Sequence, residues 1–181
     1  MYKMSEKPLI SEKRIRERVS TLAQEIVAAY DFDILLSALT GAYMFTADLC
    51  REIARVQGPA AIQKRIAFIK ASSYGDSTES SGKLQVQGLE RINLQGKKVL
   101  MVDDIADTGT TLLGLLDMLK NAGAKEVRTC VLLNKQERRE VNVTADFVGF
   151  EIANEFVVGY GLDYANDYRM LPEIWTLQEA N

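Results

Sequence analysis

The sequence predicts an α/β protein with one central, mostly parallel and twisted sheet flanked by helices. Its 181 residues fit one compact domain, and 47% of them are hydrophobic, which is an ordinary globular composition. An apolar strand at 97–102, a helix at 110–123 and a strand at 126–134 follow one another. This order is a βαβ unit, whose two strands pair in parallel. The strand at 97–102 alternates little, as expected when both of its faces are covered.

The other elements alternate along the chain and end in a less regular tail. Apolar residues spaced by three and four predict an amphipathic helix over residues 11–30, with Ser11 as its N-cap. The elements that follow are a strand at 34–39, a helix at 42–56, a strand at 65–70 and an antiparallel strand at 83–89. The polar stretch SSYGDSTESSG at 72–82 predicts a loop, and the segment from residue 146 mixes short strand candidates with loop.

The composition excludes several kinds of active site and disfavours several partners. The chain has no histidine, so zinc sites and catalytic triads built on histidine cannot form, and acid–base chemistry falls to Asp, Glu, Lys, Tyr or Cys. Two cysteines are too few for a disulfide scaffold, and a net charge of -3 disfavours a nucleic-acid binder with a broad positive field. The sequence shows neither a signal peptide nor an apolar stretch of about 20 residues. We expect a cytoplasmic protein that binds no nucleic acid and no membrane.

The stretch VLMVDDIADTGTT at 99–111 carries the strongest chemical signal. Asp103 and Asp104 lie at the carboxyl end of a predicted parallel strand, where open α/β sheets bind ligands. Residues from Asp107 to Thr111 open the next helix, whose free N–H groups suit a phosphate. Because carboxylates repel phosphate, the acids must face another group, such as the hydroxyls of a ribose or a Mg²⁺ ion bound through them. The stretch therefore predicts a site for a sugar phosphate.

Three other interpretations of these acids fit the sequence less well. A solvated loop with helix-capping threonines would also follow a strand, but the series V-D-D-I-A-D-T-G-T-T is far more specific than a lone D-x-x-D-T-G. A P-loop is excluded because no Gly-Lys-Ser/Thr follows, and no GxGxxG is present. A receiver-type phosphoacceptor domain also has paired acids at a strand end, but it needs them on its first strand.

VLMVDDIADTGTT resembles the phosphoribosyl pyrophosphate (PRPP) signature of the type I phosphoribosyltransferases. The segments LTG (39–41), LLNKQERR (132–139) and NEFVVGYGLDYANDYR (154–169) resemble, in the same order, the hypoxanthine-guanine branch of that family. The resemblance spans about residues 34–172. It implies the type I phosphoribosyltransferase fold, with a small hood and a mobile lid loop. It also implies transfer of the phosphoribosyl group from PRPP to N9 of hypoxanthine or guanine in purine salvage, giving IMP or GMP and pyrophosphate.

The resemblance implies a role for each residue of the signature. Asp103 and Asp104 would hold the ribose hydroxyls and the Mg²⁺ cofactor. Asp107 would accept the proton from purine N7 as general base, or stabilise positive charge there. A carboxylate base fits a chain without histidine. The 5′-phosphate would be wrapped by Asp107, Thr108, Gly109, Thr110 and Thr111.

Purine recognition is implied for two later segments. Lys135 would donate a hydrogen bond to the purine 6-oxo group, and since the amino group of adenine would leave this donor unpaired, a 6-oxopurine should be strongly preferred. Phe156 would stack on the base, an interaction worth ~1–3 kcal/mol. Val157 would pair with the base edge through its backbone. Asp163 would lie at the purine and reach a second Mg²⁺ through water.

Pyrophosphate binding and closure of the site are implied for three further segments. Thr40 and Gly41 belong to the LTG loop, where the family exposes a backbone N–H through a non-proline cis peptide, and Arg169 would hold the same pyrophosphate. The family commonly has Lys or Arg at the middle of this loop, so Thr40 keeps the backbone contact and lacks the cation. The loop at 72–82, with the pair Ser73-Tyr74, matches the lid that keeps water away from PRPP.

The resemblance also implies a domain plan and an assembly. We expect a single domain over residues 1–181, with a core at about 31–145. The helix at 11–30 and the purine-binding segment at 146–181 would form the hood. Members of the family form dimers and tetramers, so we expect a homodimer or homotetramer that binds PRPP and a purine base.

A different class of function is a non-catalytic regulator on the same fold, which would sense PRPP or nucleotides. Such regulators usually carry an added DNA-binding segment or a basic RNA-binding face. The basic residues before the first strand lie on one amphipathic helix, which is too little for a helix-turn-helix and linker. Asp107, Lys135 and the lid sequence are all present, which favours the enzyme.

Overall fold

A computed structural model of the chain describes residues 2–73 and 84–179, and it contains two sheets and three α-helices within these residues. The strands are β1 (Tyr2–Met4), β2 (Ile34–Leu39), β3 (Arg65–Ser73), β4 (Leu84–Gln87), β5 (Lys98–Ala106), β6 (Glu126–Asn134), β7 (Phe147–Glu151), β8 (Val157–Val158) and β9 (Trp175–Glu179). The helices are α1 (Glu12–Ala29), α2 (Tyr43–Gln57) and α3 (Thr110–Asn121). These bounds confirm the type of every predicted helix and strand. Strand β3 extends to Ser73, into the predicted loop at 72–82, and the rest of that loop lies outside the described residues.

The larger sheet has the strand order β4-β3-β2-β5-β6-β7. Its strands pair in parallel, except that β4 runs antiparallel to β3 at the edge. This arrangement confirms the predicted mostly parallel sheet and the antiparallel strand after the loop. Because β2, β5 and β6 lie side by side and run the same way, their carboxyl ends meet at one rim of the sheet, where ligands of open α/β folds bind.

Helices cover both faces of this sheet, and alternate residues of β5 pack into the two layers. Leu100 and Val102 pack with the apolar stripes of α1 and α2 on one face. Val99 and Met101 pack with α3 on the other face. The weak alternation of β5 in the sequence therefore has the predicted cause, since both of its faces are buried.

The smaller sheet joins the two ends of the chain in the antiparallel order β1-β9-β8, and we call it the hood. Two predicted parts of the hood lie elsewhere. Helix α1 packs against α2 and the larger sheet, because its apolar stripe from Ile15 to Ile26 needs a broad apolar surface. Strand β7 pairs with β6 as the last strand of the larger sheet. The hood is thus smaller than the predicted segments 11–30 and 146–181.

Strand β5 extends beyond its predicted end at residue 102. Its pairing with β6 continues through Asp103, Ile105 and Ala106, so the two adjacent acids lie inside the strand and not in the loop after it. The prediction stopped at the last residue of the apolar run, whereas backbone pairing does not require apolar side chains. Across the described ranges, no helix combines the length and the hydropathy that a membrane span needs.

Candidate active site

Two adjoining cavities open at the carboxyl ends of β2, β5 and β6. The first, of about 320 Å³, is bounded by the 39–41 loop, by β5 and the turn into α3, and by Arg169. The second, of about 370 Å³, is bounded by the segment after β6 and by the 154–157 segment. Both cavities are lined by Asp104, Asp107 and Asp163. A molecule in one cavity would therefore meet a molecule in the other at these acids.

Asp103 and Asp104 are held rigidly by the backbone of β5. The N–H of Asp104 donates to Asp103 Oδ1 at 3.0 Å, and the N–H of Ile105 donates to Asp104 Oδ1 at 2.8 Å. Burial raises the pKa of Asp103 well above its usual range, and the neighbouring Asp104 carboxylate raises it further. Burial also raises the pKa of Asp104. Two adjacent acids in such a place favour a ligand that donates hydrogen bonds or carries positive charge.

The 39–41 loop closes the first cavity beside these acids. The peptide bond between Leu39 and Thr40 is cis, as the resemblance implied. A Cβ atom on Gly41 would lie 1.6 Å from Asp104 Oδ2, so only glycine allows this loop and the acid to pack together. Gly41 of the predicted pyrophosphate loop thus packs directly against Asp104, one of the predicted ribose-binding acids.

The turn before α3 presents backbone N–H groups to the first cavity. Gly109 has a φ of +87°, a conformation that favours glycine, and its carbonyl accepts the first hydrogen bond of α3, from the N–H of Leu113 at 2.9 Å. The N–H groups of the first helical turn have no partner within the helix and suit an anion. Of the predicted phosphate residues, Thr110 is the one that does not line the cavity, and its hydroxyl lies 3.1 Å from that of Thr108.

Asp107 lies between two cations at the second cavity. Lys135 is 5% exposed, and its Nζ donates to Asp107 Oδ2 at 3.3 Å. Arg138 Nε lies 3.1 Å from Asp107 Oδ1. Lys135 alone would be taken for a surface lysine, but its side chain is buried and aimed at the acid. Arg138 was not predicted as a site residue, because nothing in LLNKQERR distinguishes its side chain from a solvated one.

The segment after β7 supplies the far wall of the second cavity. Phe156 is 47% exposed at this wall, and its ring meets the Tyr164 ring edge to face, with centroids 5.7 Å apart. Val157 is buried in β8, where it pairs with Thr176 of β9. Val157 lies in the hood, and the carbonyl of Phe156 accepts a hydrogen bond from the N–H of Leu177 in β9 at 2.8 Å. These are two of the four residues that the resemblance assigned to the purine.

Asp163 and Arg169 form an ion pair at the edge of the first cavity. Arg169 Nη2 lies 2.9 Å from Asp163 Oδ1, and Arg169 Nη1 donates to the carbonyl of Gly161 at 2.7 Å. The N–H of Asn166 donates to the other oxygen of Asp163 at 2.8 Å. This segment turns tightly, with positive φ at Tyr160, Ala165, Asn166 and Tyr168.

The predicted Mg²⁺ site fits a metal that arrives with its substrate. Within the residues that the structure describes, no three acidic or cysteine side chains cluster closely enough to hold a metal by themselves. The nearby donors are carboxylate oxygens, which Mg²⁺ prefers, and Mg²⁺ commonly takes one or two carboxylates with the remaining ligands from water and substrate phosphates.

The predicted lid is not described by the structure. Ser73 is the last residue of β3. Tyr74 and the rest of the stretch to residue 82 lie outside the described residues. Their part in closing the site stays a prediction.

Comparisons with known proteins agree with one another. The family model of the phosphoribosyl transferase domain matches residues 9–165. The hypoxanthine-guanine phosphoribosyltransferase of Aquifex aeolicus is 40% identical over 176 residues, which are 96% of this chain and 95% of that protein. The hypoxanthine phosphoribosyltransferase of Escherichia coli K12 is 39% identical over 170 residues, covering 92% of each chain.

Solved structures lead to the same family. The hypoxanthine phosphoribosyltransferase of Trypanosoma cruzi, in complex with the product IMP, superposes with a TM-score of 0.86 at 38% identity, covering 98% of this chain and 97% of that one. A hypoxanthine-guanine phosphoribosyltransferase of Bacillus anthracis gives a TM-score of 0.84 at 39% identity, covering 96% and 99%. Since both the sequence and the fold match over nearly the whole length, the chain belongs to the type I phosphoribosyltransferases, in their hypoxanthine-guanine branch.

Proposed function

We propose that the chain transfers the 5-phosphoribosyl group from PRPP to N9 of a 6-oxopurine, hypoxanthine or guanine, in purine salvage. The observation that carries this proposal is the ion pair between the buried Lys135 and the partly exposed Asp107, where the two cavities meet. A buried ammonium in the second cavity is a donor for a 6-oxo group, and the carboxylate beside it is a base for the adjacent N7. The family to which the chain belongs performs this transfer.

PRPP would occupy the first cavity. Its 5′-phosphate would lie on the N–H groups at Thr108, Gly109 and Thr111, and its ribose hydroxyls on Asp103 and Asp104. The pyrophosphate group would extend toward Gly41 and Arg169, which line the same cavity. The purine would occupy the second cavity, between Phe156, Val157 and the cations. This placement puts C1 of the ribose next to the acids that both cavities share.

The reaction follows from this placement. Purine N9 forms a bond to C1 as the bond from C1 to pyrophosphate breaks, and the transition state carries positive charge on the ribose, as in glycoside cleavage. Asp103 and Asp104 are fixed by β5 before the substrate arrives, and in their carboxylate form they stabilise that charge. Asp107 takes the proton from N7, and Lys135, already 3.3 Å from Asp107, turns its remaining N–H groups to the 6-oxo group.

One Mg²⁺ would be held, through the ribose hydroxyls, by Asp103 and Asp104, and Asp163 would reach a second Mg²⁺ through water. When bound, the ions neutralise charge on the leaving pyrophosphate. Arg169 holds Asp163 in place through their ion pair and offers its own positive charge to the same group.

We also propose that the protein forms a homodimer or homotetramer through an apolar surface beside β3. Ile62, Ile66 and Phe68 are 84%, 54% and 48% exposed, and Tyr43 is 36% exposed. Ile66, Phe68 and Tyr43 also line an apolar cleft of about 380 Å³ with Leu39 and Cys50. A second copy of the chain is the occupant we propose, since apolar surfaces of this kind mark protein contacts and the family assembles into oligomers.

The proposed reaction is tested with a spectrophotometric assay. The reaction contains PRPP, Mg²⁺ and one of hypoxanthine, guanine, xanthine or adenine, and the Asp107→Asn variant is measured alongside. We expect turnover of a 6-oxopurine and none of adenine, with kcat lowered about 100-fold or more in Asp107→Asn because a general base contributes that much. Binding of PRPP without turnover of any base would overturn the enzyme and favour the regulator.

A further inference from the structure

The loop that would hold the 5′-phosphate has no cation of its own. Its residues 107–111 read DTGTT, with one acid and no lysine or arginine. The nearby cations Lys135 and Arg138 are both paired with Asp107. A dianionic phosphate on this loop therefore needs positive charge from elsewhere in the structure.

Arg139 lies against this loop at Gly109. A Cβ atom on Gly109 would be 2.8 Å from both Cδ and Nη1 of Arg139, so the arginine occupies the space that a side chain at residue 109 would take. The backbone next to Arg139 is tied to the loop as well, since the N–H of Glu140 donates to the carbonyl of Thr108 at 2.9 Å. The loop and the arginine are thus packed as one unit.

A series of side-chain hydrogen bonds fixes one nitrogen of the Arg139 guanidinium. Arg139 Nη2 donates to Asn134 Oδ1. The side-chain amide of Asn134, which is 5% exposed at the end of β6, donates to both carboxylate oxygens of Glu151 at 2.9 Å. The arginine is thus linked by hydrogen bonds to Asn134 and Glu151, the last residues of β6 and β7.

The other two nitrogens of Arg139 lack partners. Nε and Nη1 are shielded from solvent, and neither has a hydrogen-bond partner within residues 2–73 and 84–179. Buried donors without partners are rare in folded proteins and are costly, especially when charged. The arrangement favours an anion near Gly109, because a negative charge there would compensate the buried guanidinium.

We propose that Arg139 is a positioning residue of the 5′-phosphate site. It supports the loop beneath Gly109 and supplies the fixed positive charge that DTGTT lacks. This inference rests on the proposed function, since it requires the loop to bind the 5′-phosphate of PRPP and of the nucleotide product. It assigns to Arg139 a contribution to phosphate affinity that is separate from recognition of the purine.

The test compares IMP with inosine, which differs only in lacking the 5′-phosphate. Binding of each to wild type, Arg139→Gln and Arg139→Lys is measured by isothermal titration calorimetry, with thermal unfolding as a check on folding. We expect Arg139→Gln to weaken IMP binding about 10- to 100-fold and to leave inosine binding within about twofold of wild type. Arg139→Lys keeps the charge and should fall in between. Arg91→Gln, which removes an exposed arginine that lines neither cavity, should change neither.

Kinetics provide a second readout. The KM for PRPP should rise in Arg139→Gln while the KM for hypoxanthine stays near that of wild type. If IMP and inosine lose affinity equally, or if IMP binding is unchanged, the inference is wrong although the proposed function stands. If Arg139→Gln does not fold, the same two comparisons on Arg139→Lys decide. Wild-type protein that binds neither IMP nor PRPP would overturn the proposed function and this inference together.

Discussion

At the scale of single residues, the site depends on contacts that leave no room for a different side chain. Gly41 packs against Asp104, and Gly109 packs against Arg139. Each glycine allows a binding loop to contact an ionisable side chain. Asp104 belongs to the proposed mechanism, and Arg139 to the inference about the 5′-phosphate. A side chain larger than hydrogen at either position would therefore displace the loop or the ionisable side chain that packs against it.

Gly41→Ala should impair the reaction more than it impairs folding. Its Cβ would lie 1.6 Å from Asp104 Oδ2, so the acid must move away from the ribose position. We expect kcat/KM for PRPP to fall at least about tenfold, because misplacement by about 1 Å can cost 100-fold. Steady-state kinetics at saturating hypoxanthine measure this.

Gly96→Ala serves as the control for that substitution. A Cβ atom on Gly96 meets nothing within 4 Å, but its φ is +70°. The control should lose about 1 kcal/mol of stability from backbone strain and keep its kinetic constants. Equal kinetic constants for Gly41→Ala and wild type would show that the contact with Asp104 does not matter.

Lys135→Met should remove the preference for 6-oxopurines. The substitution keeps an unbranched side chain, one atom shorter than lysine, and deletes the buried donor near Asp107. We expect kcat/KM for hypoxanthine to fall about 100-fold or more, since a hydrogen bond to a charged group is worth about 1.5–3 kcal/mol and the acid loses its partner as well. The KM for PRPP should change little. A variant that still prefers hypoxanthine over adenine by the wild-type ratio would refute the assigned role.

At the scale of elements, patterns that depend on local sequence could be predicted and those that depend on distant partners could not. The apolar stripe of α1 and the runs of β2, β5 and β6 are local, so these elements were confirmed. Strands β1 and β9 are short and exist because they pair with each other across the ends of the chain. No pattern within three residues of β1 or five residues of β9 can indicate such a partner.

The same distinction applies to the site. The acids and the phosphate loop lie together in one stretch of sequence, so their positions could be predicted. Arg138 and Arg139 act on that stretch from a later segment, and their contacts depend on the path of the chain after β6. In the sequence, the two arginines are marked only by following Lys135. That position does not distinguish an arginine in solvent from one that contacts the site.

Helix α3, which follows the phosphate loop, packs on the sheet through Leu115, and this packing can be tested with Leu115→Ala. Leu115 is fully buried against the sheet, so the truncation leaves a cavity. We expect the free energy of unfolding to fall by about 2–5 kcal/mol, measured by urea denaturation. Asp117→Ala, on the exposed face of the same helix, should change it by less than about 0.5 kcal/mol. A loss below about 1 kcal/mol for Leu115→Ala would contradict the packing described for α3.

At the scale of the whole molecule, the apolar surface beside β3 adjoins the active site. Leu39 lines both the first cavity and the apolar cleft. Tyr43, at the start of α2, faces the cleft, and its hydroxyl donates to the carbonyl of Arg169 at 3.3 Å. A second copy on this surface would therefore rest against the backbone of the 39–41 loop.

Phe68→Glu should dissociate the proposed oligomer. The ring is 48% exposed on this surface, and a buried unpaired carboxylate in its place would be costly. Light scattering after size exclusion should give an oligomer for wild type and a monomer for the variant. Met170→Glu, at an apolar position that is 88% exposed and does not line the cleft, should leave the mass unchanged. A wild-type monomer, or a variant of wild-type mass, would contradict this interface.

The position of the acids within β5 has a consequence for how the enzyme can diverge. Asp103 and Asp104 are fixed by a strand at the centre of the sheet, whereas Lys135, Arg138 and Phe156 lie in segments that connect regular elements. Substitutions in those segments can reshape the base pocket without disturbing strand pairing. We therefore expect substitutions in these connecting segments to change the choice of nucleobase, and substitutions at the two acids to disturb the central strand together with the proposed sugar phosphate site.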